Sequence, residues 1–283
     1  MSIGNKKWFI TGASGGLGWE LARQVLAAGH TVVAAVRRPE TLAGLRAQHG
    51  ERLVAETLDL TDIPAIQAVA ARHPDVDFVV NNAGGAVIGA MEELSDADIR
   101  QQLDLNLVAP VYVTRAFLPA LRARGSGRLV YVSSVGGRVG FASGALYHAA
   151  KFGLEGFAEA VAQEVAGFGI QTLIIEPGSI KTNFQANIRW TPESEAYRDS
   201  AVGAVRRYIE EMGAENTAGD PVKMAAAIFA LAQQPAPPLR TALGVDVFAT
   251  LQKSYADSLA ALQAQKELAL SVAIEGKSGF LPA

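Results

Sequence analysis

Short apolar, β-branched runs punctuate the chain at Trp8–Thr11, Thr31–Val36, Leu53–Leu58, Phe78–Val80, Leu129–Ser133 and Thr172–Ile175. None alternates strictly between apolar and polar residues, as expected of strands covered on both faces. Between them, Leu17–Ala28, Ile63–Arg72, Asp96–Arg122 and Ala145–Ala166 carry apolar residues at helical spacing. Such alternation predicts an α/β fold: a doubly wound parallel sheet of about seven strands, joined by right-handed crossovers, with helices on both faces. Two segments break the rhythm. Residues 183–218 mix polar and aromatic residues and are expected to form a lid. In the tail, residues 249–275, Leu251, Tyr255, Leu259 and Leu262 recur at helical spacing, predicting a helix that packs on its own subunit or on a partner. Pro235, Pro237 and Pro238 make only a short rigid connection, so residues 1–283 are expected to form one domain.

About half of the 283 residues are hydrophobic, enough for a substantial core. The net charge of −3 comes from interspersed acids and bases, without the basic stripe that nucleic acid or an anionic membrane requires. Neither is expected as a partner. There is no cysteine, hence no disulfide or thiol chemistry. Met1–Lys7 is polar, no stretch is long and apolar enough to span a bilayer, and a soluble cytoplasmic protein is expected. His30, His49, His73 and His148 lack ligand spacing, so no metal is expected.

Two local patterns carry chemistry. In Trp8-Phe9-Ile10-Thr11-Gly12-Ala13-Ser14-Gly15-Gly16-Leu17-Gly18, a glycine-rich turn joins the first strand to the first helix. There glycines admit a pyrophosphate, free amides at the helix start donate to it, and Gly18 lets helix and sheet approach. About twenty residues on, Arg37 and Arg38 stand where an acid would bind the adenosine ribose. A guanidinium favours a 2′-phosphate, so NADP(H) is preferred, with NAD(H) as the other option. The second pattern is Tyr147-His148-Ala149-Ala150-Lys151. Four residues apart on a helix, phenol and ammonium share a face, and the cation is expected to lower the phenol pKa. His148 points elsewhere on that helix and is read as structural.

Together with Asn81-Asn82-Ala83-Gly84 after the fourth strand, Ser134 ahead of Tyr147, and Pro177-Gly178 after the sixth, these motifs make the chain resemble the short-chain dehydrogenase/reductase family. The resemblance runs from Lys7 to about Thr182, and the spacing Thr11-Gly12-x-x-x-Gly16-x-Gly18 is similar to the compact branch. It implies a Rossmann-type domain and hydride transfer between a nicotinamide and a carbonyl or secondary alcohol. Tyr147 would be the general acid or base, Lys151 would tune it and hold the ribose, Ser134 would donate to the carbonyl, and Asn106 would support a proton relay. Ser133 competes with Ser134, but strand alternation turns the two apart and the family distance from Tyr147 selects Ser134. Gly12, Ser14, Gly16, Leu17, Gly18, Arg37, Asp59, Leu60, Asn82, Ala83, Gly84, Pro177, Gly178, Ile180 and Thr182 would line the cofactor. Asp59 would accept from the adenine amine, or else initiate the next helix.

For the substrate, Phe184, Ile188 and Trp190 join Ser134 and Tyr147, and with Tyr197, Tyr208 and Met212 they suggest a hydrophobic ketone, aldehyde or alcohol. The segment Gly29–Arg38 is similar to reductases of steroid- and retinoid-like compounds. Family members form homodimers or homotetramers, here expected through Asp96–Arg122 and Ala145–Ala166. The competing reading is an NADP(H)-binding sensor or interaction protein that performs no chemistry on this fold.

Overall fold

The structure, a computed structural model, describes residues 4–213, 217–274 and Lys277. Residues 1–3, 214–216 of the expected lid, 275 of the tail, and the Met212 side chain lie outside the described set. The strands are β1 (Lys7–Thr11), β2 (Thr31–Val36), β3 (Leu53–Thr57), β4 (Phe78–Asn81), β5 (Val87–Ile88), β6 (Gly127–Val132), β7 (Ile170–Pro177), β8 (Arg189–Trp190) and β9 (Arg240–Leu243). The helices are α1 (Gly16–Ala27), α2 (Ala43–His49), α3 (Ile63–Arg72), α4 (Asp96–Leu103), α5 (Ala109–Arg124), α6 (Ala145–Val165), α7 (Glu195–Arg198), α8 (Ala201–Met212), α9 (Pro221–Ala232), α10 (Val245–Ala264) and α11 (Lys266–Ser271).

Seven strands form one sheet in the order β3-β2-β1-β4-β6-β7-β9, every neighbouring pair parallel. This is the expected Rossmann-like sheet. Its apolar runs lack alternation because both faces are covered: Trp8 and Ile10 join a core with Leu21, Val25 and Ile228, while Phe9 faces Ile66, Phe117 and Leu154. Burying each such side chain contributes roughly 1.5–3 kcal/mol. β1 lies centrally, and the chain winds outward to β3 before returning to β4. The crevice between the carboxyl ends of β1 and β4 is thus the topological switch point, where open parallel sheets bind ligands.

One expectation is corrected. Asp96–Arg122 is not one helix: a π turn over Asp104–Val108 separates α4 from α5. Pro110 lacks the N–H that an α-helix would direct to the Asn106 carbonyl, so the helix widens there. In the tail, α10 buries Val247 and Leu251, whereas Tyr255, Leu259 and Leu262 are exposed, so within this chain the predicted stripe packs at its start. β9 and the β5–β8 pair were not located by pattern, being short.

Candidate active site

At the end of β1, the buried Thr11 hydroxyl donates to Val80 O (3.2 Å) and accepts from the amides of Asn82 and Ala83 (both 3.0 Å). Asn82 Nδ2 returns to Thr11 O (2.9 Å) and Gly12 O (3.3 Å). These bonds tie the glycine-rich turn to the segment after β4. Gly12 has φ +68°, a left-handed conformation, and a Cβ there would meet Ala83 Cα at 2.8 Å. A Cβ on Gly18 would strike the Asn82 amide and Gly12 O. α1 starts after Gly15 with no side-chain cap, leaving its first amides free for an anion. Ser14 is exposed beside them, while the Leu17 side chain belongs to the core.

The rim of this crevice carries charge. Arg37 is exposed at the carboxyl end of β2. Asp59 accepts from Thr61 N (2.9 Å) and Thr61 Oγ1 (2.8 Å), bonds that hold its carboxyl below the usual range, and the Arg37 charge acts in the same direction. Helix α3 is capped instead by Asp62, which accepts from Ala65 N (3.0 Å). Asp59 is therefore not the helix cap. Leu60 is half-buried beside it.

Deeper in, α6 presents Tyr147 and Lys151 on one face. Lys151 is buried, donates from Nζ to Val132 O (2.9 Å), and sits 5.8 Å from the centre of the Tyr147 ring. Ser134 lies close enough to Tyr147 to act on its phenol, and its Oγ accepts from Gly136 N (3.0 Å). Ser133 is buried and faces away, toward Gly137. Asn106, on the π turn, donates to Gly85 O and Gln102 O (3.0 Å each) and accepts from Gly85 N (3.2 Å). Its carboxamide thereby fixes the loop after β4 so that Gly84 lies between Asn106 and Lys151. His148 lies 2.9 Å from Gly136 O through Nδ1; since a carbonyl only accepts, Nδ1 carries the proton. Burial lowers its pKa, so a neutral histidine buttresses the Ser134 turn, the structural part expected of it.

The electrostatics reverse one expectation. Burial raises the Tyr147 pKa, and Ser134 opposes it only in part. Burial also lowers the Lys151 pKa to about 8, against the opposing charge of Glu155 one turn further along α6. Without a bound nucleotide, desolvation is the largest influence on both groups. Behind Lys151, the buried Glu155 and Glu176 are spanned by Arg240, whose Nε lies 3.0 Å from Glu155 and 3.7 Å from Glu176. Burial, then the Glu155 charge, raises the Glu176 pKa.

After β7, Pro177 and Gly178 lead to Ile180, which bridges to Gly219, and to Thr182, whose side chain rests against Gly16. Phe184 follows, its ring 6.4 Å from that of Tyr147. Ile188 is half-buried, whereas Trp190 turns to Arg206, 4.9 Å from its ring, and Tyr208 is exposed. Of the aromatic lid candidates, Phe184 approaches the reactive pair. Three residues that no chemical role in the sequence singles out organise this region: Thr11, Glu93 and Asp246. Glu93 accepts from Ala90 N (3.0 Å), Thr191 Oγ1 (2.9 Å) and Ser194 N (2.9 Å), tying residues 191–194 to the β5 arm. Burial alone would raise its pKa, but these bonds bring it to about 2.

The crevice fits a nicotinamide dinucleotide: two glycines have no room for a Cβ, the helix amides beside them are free, and the lysine is buried next to a tyrosine. Among the described residues, no cluster could hold a metal ion, and no helix is long and apolar enough to cross a membrane. A profile of the short chain dehydrogenases matches residues 6–193. Oxidoreductase BOA17 of Botryotinia fuckeliana is 37% identical, covering 95% of this chain and 99% of its own. A short-chain dehydrogenase structure from Streptomyces avermitilis superposes with TM-score 0.88 at 39% identity, covering 96% of this chain and 100% of that one. A serine dehydrogenase complexed with NADP+ superposes with TM-score 0.73 at 26% identity, covering 84% and 94%. The chain belongs to the short-chain dehydrogenase/reductase family of oxidoreductases.

Proposed function

We propose that this protein is an NADP(H)-dependent oxidoreductase that interconverts a carbonyl and an alcohol on a hydrophobic substrate, with Tyr147 as the proton-transfer group. One observation carries the reading: Tyr147 lies beside the buried ammonium of Lys151, on the helix that faces Ser134 at the carboxyl edge of the sheet. A pure binder has no use for a buried cation beside a phenol. The NADP+ complex of a relative supports the cofactor class.

When bound, the nicotinamide supplies or accepts the hydride. The turn at Gly12, Gly16 and Gly18 and the free amides of α1 would hold the pyrophosphate, Arg37 a 2′-phosphate, and Asp59 the adenine. The segment Asn82–Gly84 and the loop carrying Ile180 and Thr182 would line the nicotinamide half. In reduction, Tyr147 donates its proton to the carbonyl oxygen, and Ser134, fixed from behind by Gly136 N, donates to the same oxygen as charge develops. Lys151 then faces the phenolate and stabilises it. Because burial raises its pKa, Tyr147 holds its proton at neutral pH, which suits reduction. In oxidation, Tyr147 would have to lose that proton first, so alcohol oxidation is favoured by alkaline pH. Positioned proton transfer of this kind contributes about 10²–10⁴-fold.

Phe184 beside the Tyr147 ring supports an apolar substrate end. The single domain, the cytoplasmic location, and a homodimer or homotetramer through α4, α5 and α6 are part of the same proposal. The test is NADPH oxidation across a panel of ketones and aldehydes, repeated with NADH. Turnover of hydrophobic carbonyls with NADPH favoured is expected; a strong NADH preference contradicts the part given to Arg37.

A further inference from the structure

The chain leaves β7 through Gly178 and Ser179 and reaches Gly16 through Thr182, so whatever fixes Ser179 fixes one wall of the crevice. On one side, Gly219 N donates to Ser179 O (3.0 Å), and Lys181 N donates to Gly219 O (2.8 Å). On the other side stands a carboxylate. Asp246 Oδ2 accepts from Ser179 N (3.0 Å) and Ser179 Oγ (2.9 Å), while Oδ1 accepts from Val247 N (3.0 Å) in the first turn of α10. The approach is close. A Cβ on Gly178 would collide with both carboxylate oxygens, and one on Gly244 would meet Oδ1 at 2.6 Å. Gly178 N also donates to Leu243 O (3.2 Å), bringing the end of β9 to the same corner. Two glycines therefore make room for one carboxylate, whose negative charge is further favoured at the start of a helix.

We propose that Asp246 is a positioning residue for nucleotide binding: from the first turn of α10, it clamps the loop that carries Ile180 and Thr182 over the glycine-rich turn. This rests on the crevice being the NADP(H) site. Asp246 has no path to the reacting atoms; it acts through Ser179, and its loss should loosen the loop before any ligand arrives.

Two readouts test it on the full chain: amide hydrogen exchange over residues 176–184 without added nucleotide, and the Kd for NADPH by fluorescence titration. Asp246→Ala removes every acceptor of the clamp. It should speed exchange at Ser179 and weaken NADPH binding about tenfold, as expected for loss of charge-assisted bonds. Asp246→Asn keeps one oxygen for Ser179 and should recover most of both effects. Ser179→Ala, which loses only the hydroxyl bond, should weaken binding about threefold and serves if Asp246→Ala fails to fold. Wild-type exchange and wild-type Kd in these variants, with wild-type protein binding NADPH, would overturn the clamp. A wild-type protein that binds no NADPH overturns the functional reading itself, and this inference with it.

Discussion

At Tyr147 burial prevails over the effect of Ser134, and at Lys151 over the Glu155 charge: the phenol is pushed up and the Lys151 ammonium down to about 8. The kinetic sign follows. As pH rises through about 8, Lys151 loses its proton and the phenolate loses its stabilising partner, so carbonyl reduction should decline there, well below the titration range of an exposed lysine. A pH–rate profile checks this, and Lys151→Met should lower kcat and abolish that limb. The decline persisting in Lys151→Met would assign it to another group. At the rim, Arg37→Ala should weaken NADPH about ten- to a hundredfold while leaving NADH nearly unchanged, measured as separate Kd values. The sequence shows these residues because their partners are local or their spacing is linear: Tyr147 and Lys151 are one helical turn apart, and Ser134 directly follows an apolar strand run. Thr11 shows in the sequence as the strand end that opens the glycine-rich spacing, with no sign of what its hydroxyl bonds. Its three partners lie 69 to 72 residues away, a distance over which no sequence pattern reports a contact.

Among the elements, periodicity located α1, α3 and α6 within a residue or two, since each has one apolar stripe facing the sheet. It failed between α4 and α5. There Pro110 opens a π turn that presents Asn106, a change in hydrogen bonding that leaves the apolar spacing nearly intact. Composition marks the segment expected to form a lid but not the carboxylate that holds it, because Glu93 meets Thr191 and Ser194 about a hundred residues later. That anchor is acid-sensitive with a definite sign. The folded pKa of about 2 lies below the ordinary 4.5, so its stabilisation is fully present above pH 4.5 and is lost as pH falls through about 2. Glu93→Gln should lower stability at pH 6 by about 1–2 kcal/mol and flatten the decline between pH 4.5 and 2. Urea midpoints across that range measure it. An unchanged acid limb would mean that the carboxylate does not hold the lid.

In the molecule as a whole, the order of strands decides where chemistry can occur: β1, β4, β6 and β7 deliver the glycine-rich turn, the Asn82 segment, Ser134 and the Ile180–Thr182 loop to one edge. α6 brings Tyr147 and Lys151 to that edge from the side. The parallel sheet was legible because its strands read as unbroken apolar runs. The tail was not, since helical spacing shows that residues share a face and not what they face, and Leu259 and Leu262 turn out exposed. The central claim is that this edge transfers a proton from Tyr147 to a carbonyl oxygen. The decisive comparison is NADPH oxidation by wild type and by Tyr147→Phe on the same hydrophobic carbonyl, with the NADPH Kd of each. The account predicts a loss of at least about a hundredfold in kcat with Kd nearly unchanged. Equal turnover in the two proteins, or NADPH binding without turnover by the wild type on every carbonyl tried, would contradict it.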